Sequence, residues 1–330
     1  MKGRREVAVD APQVSVVVAT RNRPERLQLL LASLTVQTLA RPAWEVIVVD
    51  DASDDGLTED TLAEAEAEGH LPLRVLRQER QAGPATAREA GWRAAHGTLI
   101  AFTDDDCEPT PDWLAAGISA AGQDPGRFVQ GRTLPNPREL GSRGPYSRTI
   151  EVAGPNPHFH TCNIFYPREL LEAIGGFDVA SFGIEPGGED SDLAWRAIAA
   201  GAEPVFAADA LAFHAVSDLG PVGKLRVAAR WTTPMKAFAI HPELRRAGFV
   251  YGIFWKREHM WLLMLFLGLL LPRRLWMVSA LLMVPSLRSA YGRARTSEAG
   301  GHIGAYFLLH DLVEMWAVAR AGFRYRRVML

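Results

Sequence analysis

The sequence predicts an α/β protein with a doubly wound, mostly parallel sheet and flanking helices, followed by a helical C-terminal region. Strand and helix patterns alternate from Val14 to about Ala121, acidic clusters follow the ends of predicted strands, and the last third is apolar and basic. Alternating strands and helices are typical of parallel sheets, and such sheets bind ligands beyond the carboxyl ends of their strands.

The strands are predicted from β-branched or apolar runs that end at polar residues, and the helices from apolar residues at helical spacing. The predicted strands are Val14–Thr20, Trp44–Val49, Leu73–Leu76, Leu99–Phe102, Phe159–Tyr166 and Val205–Phe213. The predicted helices are Glu25–Thr38, Thr58–Glu68, Ala85–Ala95, Pro111–Ala121 and Asp190–Ala200. Residues 131–147 are rich in Pro, Gly and Arg and are predicted to form a loop.

Charge is distributed unevenly along the 330 residues. Residues 1–220 carry 19 Lys and Arg against 33 Asp and Glu, whereas residues 221–330 carry 17 against 5. The tail contains two uncharged runs, Met260–Leu271 and Leu275–Leu287, each flanked by arginines and each shorter than the roughly 20 residues that span a bilayer. These features predict a region that lies on a membrane surface; a buried helical pair is the alternative.

Cysteine content and the first residues bear on localisation. Two cysteines, Cys107 and Cys162, do not form a disulfide framework, which favours a reducing cytoplasm. Residues 1–13 are polar and are predicted to be a loose leader rather than a secretory signal. We therefore expect a leader at 1–13, a main domain at 14–220 and a helical region at 221–330. We also expect a cytoplasmic protein, peripheral or monotopic at the inner face of the cell membrane.

Three consecutive aspartates, Asp104, Asp105 and Asp106, follow the apolar run Leu99–Phe102. Like charges side by side repel one another unless a cation lies among them. Oxygen ligands suit Mn²⁺ or Mg²⁺. The pattern therefore favours a divalent cation that carries a diphosphate, against the alternative of a solvated acidic turn.

Other chemistry-bearing residues also lie at strand ends or helix starts. Asp50 and Asp51 could accept hydrogen bonds from a base or ribose, and Arg88 lies one turn into a helix whose N-terminus suits phosphate. Glu189 and Asp190 follow a glycine pair at a helix start, where an ionised carboxylate could act as a general base. His214 ends a predicted strand and could complete a metal site.

Six segments together resemble the motifs of family 2 glycosyltransferases of the Rossmann-like GT-A fold. They occur in the family's order across Val14–His214: VSVVVATRNRP, EVIVVDDASDD, GPATAREAG, GTLIAFTDDDCEPTPDWL, GGFD and GGEDSDLAWR. The resemblance implies a nucleotide-diphosphate sugar donor, a divalent metal (Mn²⁺ or Mg²⁺) and inversion at the anomeric carbon. It also implies that residues 14–220 form the nucleotide-sugar-binding catalytic domain.

The resemblance assigns expected roles to individual residues. Asp190 matches the catalytic base, with Glu189 beside it, and Asp104 with Asp106 forms the Asp-x-Asp motif. The expected metal ligands are Asp104, Asp106 and His214. The expected donor-binding residues are Thr20, Arg21, Asp50, Asp51, Arg88, Asp104 and Asp105. The chain departs from the family at Glu89, where an Asn is frequent, and this departure could alter contacts near the phosphates.

Other function classes fit the sequence less well. A nucleotidyltransferase would present a glycine-rich, basic loop after the first strand, but ATRNRPERL has no glycine. A non-catalytic membrane scaffold would have lost the Asp-x-Asp motif or Asp190. Nucleic-acid binding by the basic tail lacks a recognisable motif, and its Leu and Met runs suit lipid better. The acceptor is left open, with a lipid-linked molecule or a polysaccharide of the cell envelope as candidates.

Overall fold

The computed structural model describes residues 11–184, 187–296 and 303–330. Residues 1–10 of the predicted leader lie outside this range. The strands are β1 Val14–Thr20, β2 Trp44–Asp50, β3 Leu73–Arg77, β4 Leu99–Asp104, β5 Cys107–Pro109, β6 Arg127–Pro135, β7 Ser147–Arg148, β8 Asn163–Pro167, β9 Glu203–His214 and β10 Ser217–Asp218. The helices are α1 Pro24–Thr35, α2 Leu57–Glu68, α3 Pro84–Ala94, α4 Trp113–Ala121, α5 Arg168–Ile174, α6 Glu189–Ala199, α7 Gly220–Ala229, α8 Met235–Ile240, α9 Pro242–Gly248, α10 Arg257–Leu270, α11 Trp276–Thr296 and α12 Ile303–Tyr325.

The described chain forms two compact units. The first comprises residues 11–134, 150–184 and 196–214, and the second comprises 135–149, 187–195, 215–296 and 303–330. The first unit contains an eight-stranded sheet in the order β3-β2-β1-β4-β8-β6-β9-β5. The four strands from β3 to β4 are parallel, which confirms the predicted α/β class. The pairs β4–β8, β6–β8 and β5–β9 are antiparallel and were not predicted.

Apolar side chains of β1, β2 and β4 form the core beneath the helices. Val16, Val48 and Ala101 are fully buried, and they belong to the same hydrophobic cluster as the leucines of α1. Parallel strands covered on both faces are near-continuous hydrophobic runs, as VSVVVA and VIVV are. This central sheet brings the carboxyl ends of β1, β2 and β4 to one edge.

Three predicted boundaries lie three or more residues from the observed ones. Helix α1 ends at Thr35 rather than Thr38, because Gln37 and Thr38 instead hydrogen-bond to the α4 entry loop at Thr110 and Pro111. The loop predicted for 131–147 begins inside β6, where a side chain at Gly131 would collide with Asn163. The strand predicted from Phe159 begins at Asn163, since Phe159 has a left-handed backbone with φ +50°.

The second unit is mainly helical, and α10, α11 and α12 pack together. Both uncharged runs of the tail lie largely in α10 and α11, whereas α12 was not predicted. A buried carboxylate joins α12 to the start of α10: Glu314 of α12 accepts hydrogen bonds from Nζ of Lys256, the N-cap residue of α10, at 2.9 and 2.7 Å. His259 of α10 is fully buried with its Nε2 3.4 Å from Glu314 Oε2. Among the described residues, no helix is both long enough and apolar enough to cross a membrane.

Candidate active site

The three consecutive aspartates form a tight turn between β4 and β5. Asp104 is the last residue of β4, and Cys107 is the first residue of β5. The side chains differ in environment, with Asp105 almost completely buried and its two neighbours partly exposed. The turn therefore presents two carboxylates outward and one inward at the carboxyl edge of the sheet.

Asp104 is paired with Arg88 of α3. Arg88 Nη2 donates to Asp104 Oδ1 at 2.7 Å, and the Arg88 side chain is only 8% exposed. Helix α3 begins after Gly83, whose φ of +89° a residue with a side chain rarely adopts. Both observations place a fixed guanidinium beside the outward-facing end of β4.

Asp105 anchors the turn from below. Thr20 Oγ1 at the end of β1 donates to Asp105 Oδ2 at 2.8 Å, and Arg23 Nη1 donates to Asp105 Oδ1 at 3.0 Å. Burial raises the pKa of Asp105 to about 6, even though Arg23 and Thr20 favour the ionised form. These contacts join the β1–α1 loop to the aspartate turn, and they favour a supporting role for Thr20 and Asp105.

Asp106 lies between two basic side chains. Arg23 Nη1 donates to Asp106 Oδ2 at 3.1 Å, and His214 Nε2 at the end of β9 lies 3.5 Å from Asp106 Oδ1. Asp106, His214 and Cys107 each offer an atom within 4.8 Å of the others. Hydrogen bonding with Cys162 and burial raise the pKa of the Cys107 thiol.

Asp50 and Asp51, at the end of β2, accept hydrogen bonds from backbone N–H groups of the protein. Asp51 accepts hydrogen bonds from the backbone N–H groups of Ala82 at 2.7 Å and Gly83 at 2.9 Å. Asp50 accepts one from the backbone N–H of Ser53 at 2.9 Å and is buried. Asp51 thus ties β2 to the segment that starts α3, which is the helix that carries Arg88.

Two arginines of the β1–α1 loop have different neighbours. Arg21 contacts Ala52 O at 3.4 Å and Asp54 at 3.7 Å, next to the Asp50-Asp51 turn rather than the aspartate triplet. Arg23, by contrast, contacts both Asp105 and Asp106. Sequence reasoning did not identify Arg23. The only available signal was its place in RNRPER directly after β1.

Glu89 stands where the family frequently has Asn, and its hydrogen bonds are made to residues outside the aspartate turn. Its carboxylate accepts hydrogen bonds from Trp92 Nε1 at 2.6 Å, Arg93 Nε at 2.6 Å and the backbone N–H of Phe177 at 2.8 Å. The bond from Phe177 connects α3 to the Gly175-Gly176-Phe177 turn. Glu89 therefore supports the helix on which Arg88 lies.

Glu189 and Asp190 lie in the second unit, in the first turn of α6. Glu189 is buried, and its Oε2 accepts a hydrogen bond from the backbone N–H of Gly187 at 2.7 Å. Asp190 is partly exposed and accepts one from the backbone N–H of Ser191 at 2.8 Å. Two residues further, buried Asp192 pairs with His241 Nε2 at 2.8 Å. This His241 contact was not foreseen from the sequence.

Comparison with known proteins identifies the fold and the family. The model of glycosyl transferase family 2 matches residues 15–183, slightly more than half of the chain. The chain belongs to glycosyl transferase family 2. Glycosyltransferase AglE of Haloferax volcanii is 29% identical over 221 residues, which cover 64% of this chain and 70% of the relative. These findings confirm the predicted glycosyltransferase class.

Further similarities agree with this family 2 assignment. The pre-mycofactocin glycosyltransferase of Mycobacterium tuberculosis is 29% identical over 220 residues, which cover 61% of this chain and 42% of that relative, so the chain spans less than half of it. The mannosyltransferase PcManGT from Pyrobaculum calidifontis, solved in complex with GDP-Man and Mn²⁺, superposes with a TM-score of 0.62 at 24% identity. That alignment covers 93% of this chain and 88% of the other, and it confirms the GT-A fold.

Within the first unit, the structure brings most of the expected site residues together. Two groups form, joined through α3: one around the aspartate turn and one around the Asp50-Asp51 turn. The first contains Thr20, Arg88, Asp104, Asp105, Asp106 and His214, and the second contains Arg21, Asp50 and Asp51. For the family 2 enzyme, this edge of the sheet is the candidate donor site.

Proposed function

We propose that this glycosyltransferase transfers a sugar from a nucleotide-diphosphate donor to an acceptor hydroxyl with inversion at the anomeric carbon. The observation that carries the proposal is the aspartate turn after β4, with Arg88 on Asp104 and His214 beside Asp106. PcManGT, which shares the fold, was solved with GDP-Man and Mn²⁺, and this supports a nucleotide-sugar donor and a divalent cation here.

The residues at the turn fit a hard divalent cation, either Mn²⁺ or Mg²⁺. Asp106 and His214 offer an oxygen and a nitrogen donor, and Asp104 lies in the same turn, whereas the soft sulfur of Cys107 suits Mn²⁺ or Mg²⁺ poorly. A bound cation would offset the negative charge of the departing diphosphate, so that no strong general acid is needed. Arg88, held in place by Asp104, is suited to contact a donor phosphate.

We assign the proton transfer to Asp190. Its position in the first turn of α6 favours the ionised form, because a helix N-terminus stabilises negative charge. An ionised, partly exposed carboxylate can accept the acceptor hydroxyl's proton as the oxygen attacks the anomeric carbon. Buried Glu189 holds Gly187 instead, which favours a positioning role for it.

Replacement of the base tests this assignment. In the variant Asp190→Asn we expect nucleoside-diphosphate binding close to that of the parent protein and a loss of turnover of about 100-fold or more. The assay uses a panel of nucleotide-sugars with Mn²⁺, and NMR of the product gives the anomeric configuration. Asp209→Asn, which changes an exposed carboxylate of β9, is the matched control. Parent-like turnover in Asp190→Asn, or retained configuration, would refute the mechanism.

We further propose that α10 and α11 rest on the inner face of the cell membrane, where the acceptor is presented. Large apolar side chains are exposed on these helices: Leu269, Leu270, Trp276, Met277 and Leu281. Arg273 and Arg274 lie between the two helices. Exposed apolar residues beside arginines suit an anionic lipid surface, and such a surface places a lipid-linked or envelope polysaccharide acceptor within reach.

Vesicle flotation tests the membrane proposal. We expect the parent protein to float with vesicles that contain anionic lipid and the variant Leu281→Glu to float markedly less. Leu57→Glu introduces the same charge at an exposed leucine of α2 and serves as the control. Equal flotation of all three proteins, or no flotation of the parent, would contradict the proposal.

A further inference from the structure

We propose that Arg23 is an internal counter-cation of the aspartate turn, which must leave Asp106 before a divalent cation binds there and which then contacts the donor diphosphate. The inference rests on the proposed function, because it assumes that Asp106 holds the cation. It adds a consequence: metal and nucleotide would load together rather than one after the other.

The geometry places one guanidinium nitrogen on two carboxylates. Arg23 Nη1 lies 3.0 Å from Asp105 Oδ1 and 3.1 Å from Asp106 Oδ2. A divalent cation at Asp106 would meet a permanent positive charge at contact distance, because arginine stays charged at any working pH. Like charges so close repel strongly, so cation and guanidinium compete for Asp106.

Exposure indicates which partner moves. The Arg23 side chain is 53% exposed, whereas those of Asp105 and Asp106 are 6% and 15% exposed. Arg23 is the N-cap residue of α1, and its side chain makes no capping hydrogen bond, so the side chain can reorient without leaving a helix N–H group unpaired. Asp105 and Asp106 lie in the tight turn between β4 and β5 and are much less exposed, so the arginine is the component better able to reorient.

The two arginines of the site therefore differ in kind. Arg88 is buried against Asp104 and stays in place, while Arg23 is half-exposed and bridges two aspartates. Once it leaves Asp106, the Arg23 guanidinium has N–H donors available beside the site. A diphosphate offers paired oxygens that can accept two of these hydrogen bonds at once. Binding of the nucleotide diphosphate to Arg23 would thus offset the free energy lost when Arg23 leaves Asp106 and the metal takes its place.

Binding measurements separate this role from simple support of the turn. Mn²⁺ is titrated alone and with saturating UDP or GDP, and free Mn²⁺ is followed by electron paramagnetic resonance. In Arg23→Gln we expect Mn²⁺ alone to bind about tenfold more tightly, and the enhancement by nucleoside diphosphate to shrink by about the same factor. Arg23→Lys retains the charge and should behave more like the parent. Arg41→Gln removes an exposed arginine elsewhere in the first unit and is the control for net charge.

The outcomes distinguish the two proposals. If Asp106→Asn abolishes Mn²⁺ binding but Arg23→Gln leaves the affinity for Mn²⁺ alone unchanged or weaker, Arg23 is only a structural staple and the inference is overturned. If no protein binds Mn²⁺ in a manner that depends on Asp106, with or without UDP or GDP, the metal proposal itself fails. Thermal unfolding of each variant shows whether an altered affinity reflects a misfolded site, and Arg23→Lys then supplies the deciding comparison.

Discussion

The carboxylate of Glu89 accepts a hydrogen bond from the backbone N–H of Phe177 at 2.8 Å. The same carboxylate also accepts from Trp92 Nε1, and it lies where a side chain at Gly176 would stand. One acidic residue therefore fastens α3 to the turn that follows α5. Because Arg88 precedes Glu89 in α3, this contact sets the position of the arginine that pairs with Asp104.

Removal of this acceptor should destabilise the first unit. In Glu89→Ala, the N–H groups of Trp92 and Phe177 lose their partner, and we expect unfolding free energy to fall by about 2 kcal/mol. Denaturant unfolding of the full chain measures the change. Glu169→Ala, an exposed residue in the first turn of α5, should cost much less. An equal effect of the two substitutions would show that the Glu89 contacts contribute little.

Substitution of Asp51 should weaken nucleotide binding through the start of α3. Asp51→Asn keeps one acceptor oxygen where the carboxylate uses two, so either Ala82 or Gly83 loses its hydrogen bond. We expect the affinity for UDP or GDP, measured by calorimetry, to fall about tenfold, which corresponds to the net value of one charge-assisted hydrogen bond. Asp60→Asn on the exposed face of α2 should leave the affinity unchanged. Unaltered binding in Asp51→Asn would show that this carboxylate does not contribute to nucleotide affinity.

Gly83 should resist substitution for two reasons. Its φ is +89°, and a Cβ atom there would lie 2.8 Å from the backbone Cα of Ile184. We expect Gly83→Ala to lower the unfolding free energy by about 2 kcal/mol or more, since backbone must shift as well as adopt a strained dihedral. Gly69→Ala is the matched control, because Gly69 has φ +62° with open space around it. If both variants unfold alike, the contact with Ile184 carries no cost.

Acid should weaken the second unit through Glu314. Burial acts to raise the pKa of Glu314, but contacts with His259 and the charge of Lys256 lower it to about 2. Because the folded-state pKa lies below its ordinary value of 4.5, the stabilisation is complete above pH 4.5 and is lost as the pH falls toward 2. Burial lowers the pKa of Lys224, and the charge of Glu314 acts against that shift.

The variant Glu314→Gln isolates this contribution. At pH 7 we expect it to lose about 3 kcal/mol of unfolding free energy, because Lys256 and His259 lose a buried charged partner. Between pH 4.5 and 2 the difference from the parent protein should shrink. Glu243→Gln, at an exposed residue of α9, provides the reference titration. A difference that stays constant with pH would contradict the lowered pKa.

The sequence sufficed for the parallel half of the sheet because VSVVVAT and EVIVVD are buried on both faces and contain little else than strand-forming residues. It failed at β5 and β6, whose pairing depends on distant partners: three residues such as Cys107–Pro109 carry no periodic signal. The aspartate turn was foreseen because like charges in a row are unusual. Arg23 and His241 were missed because the acids that pair with them lie far away in sequence.

The pairing of Cys107 with His214 across β5 and β9 has a mechanical consequence. β5 is a three-residue strand at the outer margin of the sheet, a place where proteins commonly fray. A cation bound by Asp106 and His214 would link the two strands, because Asp106 directly precedes β5 and His214 ends β9. Binding of the cation with the donor would then slow the exchange of amide hydrogens along β5 and β9 with solvent deuterium. The exchange rate at this edge of the sheet would therefore report whether the cation is bound.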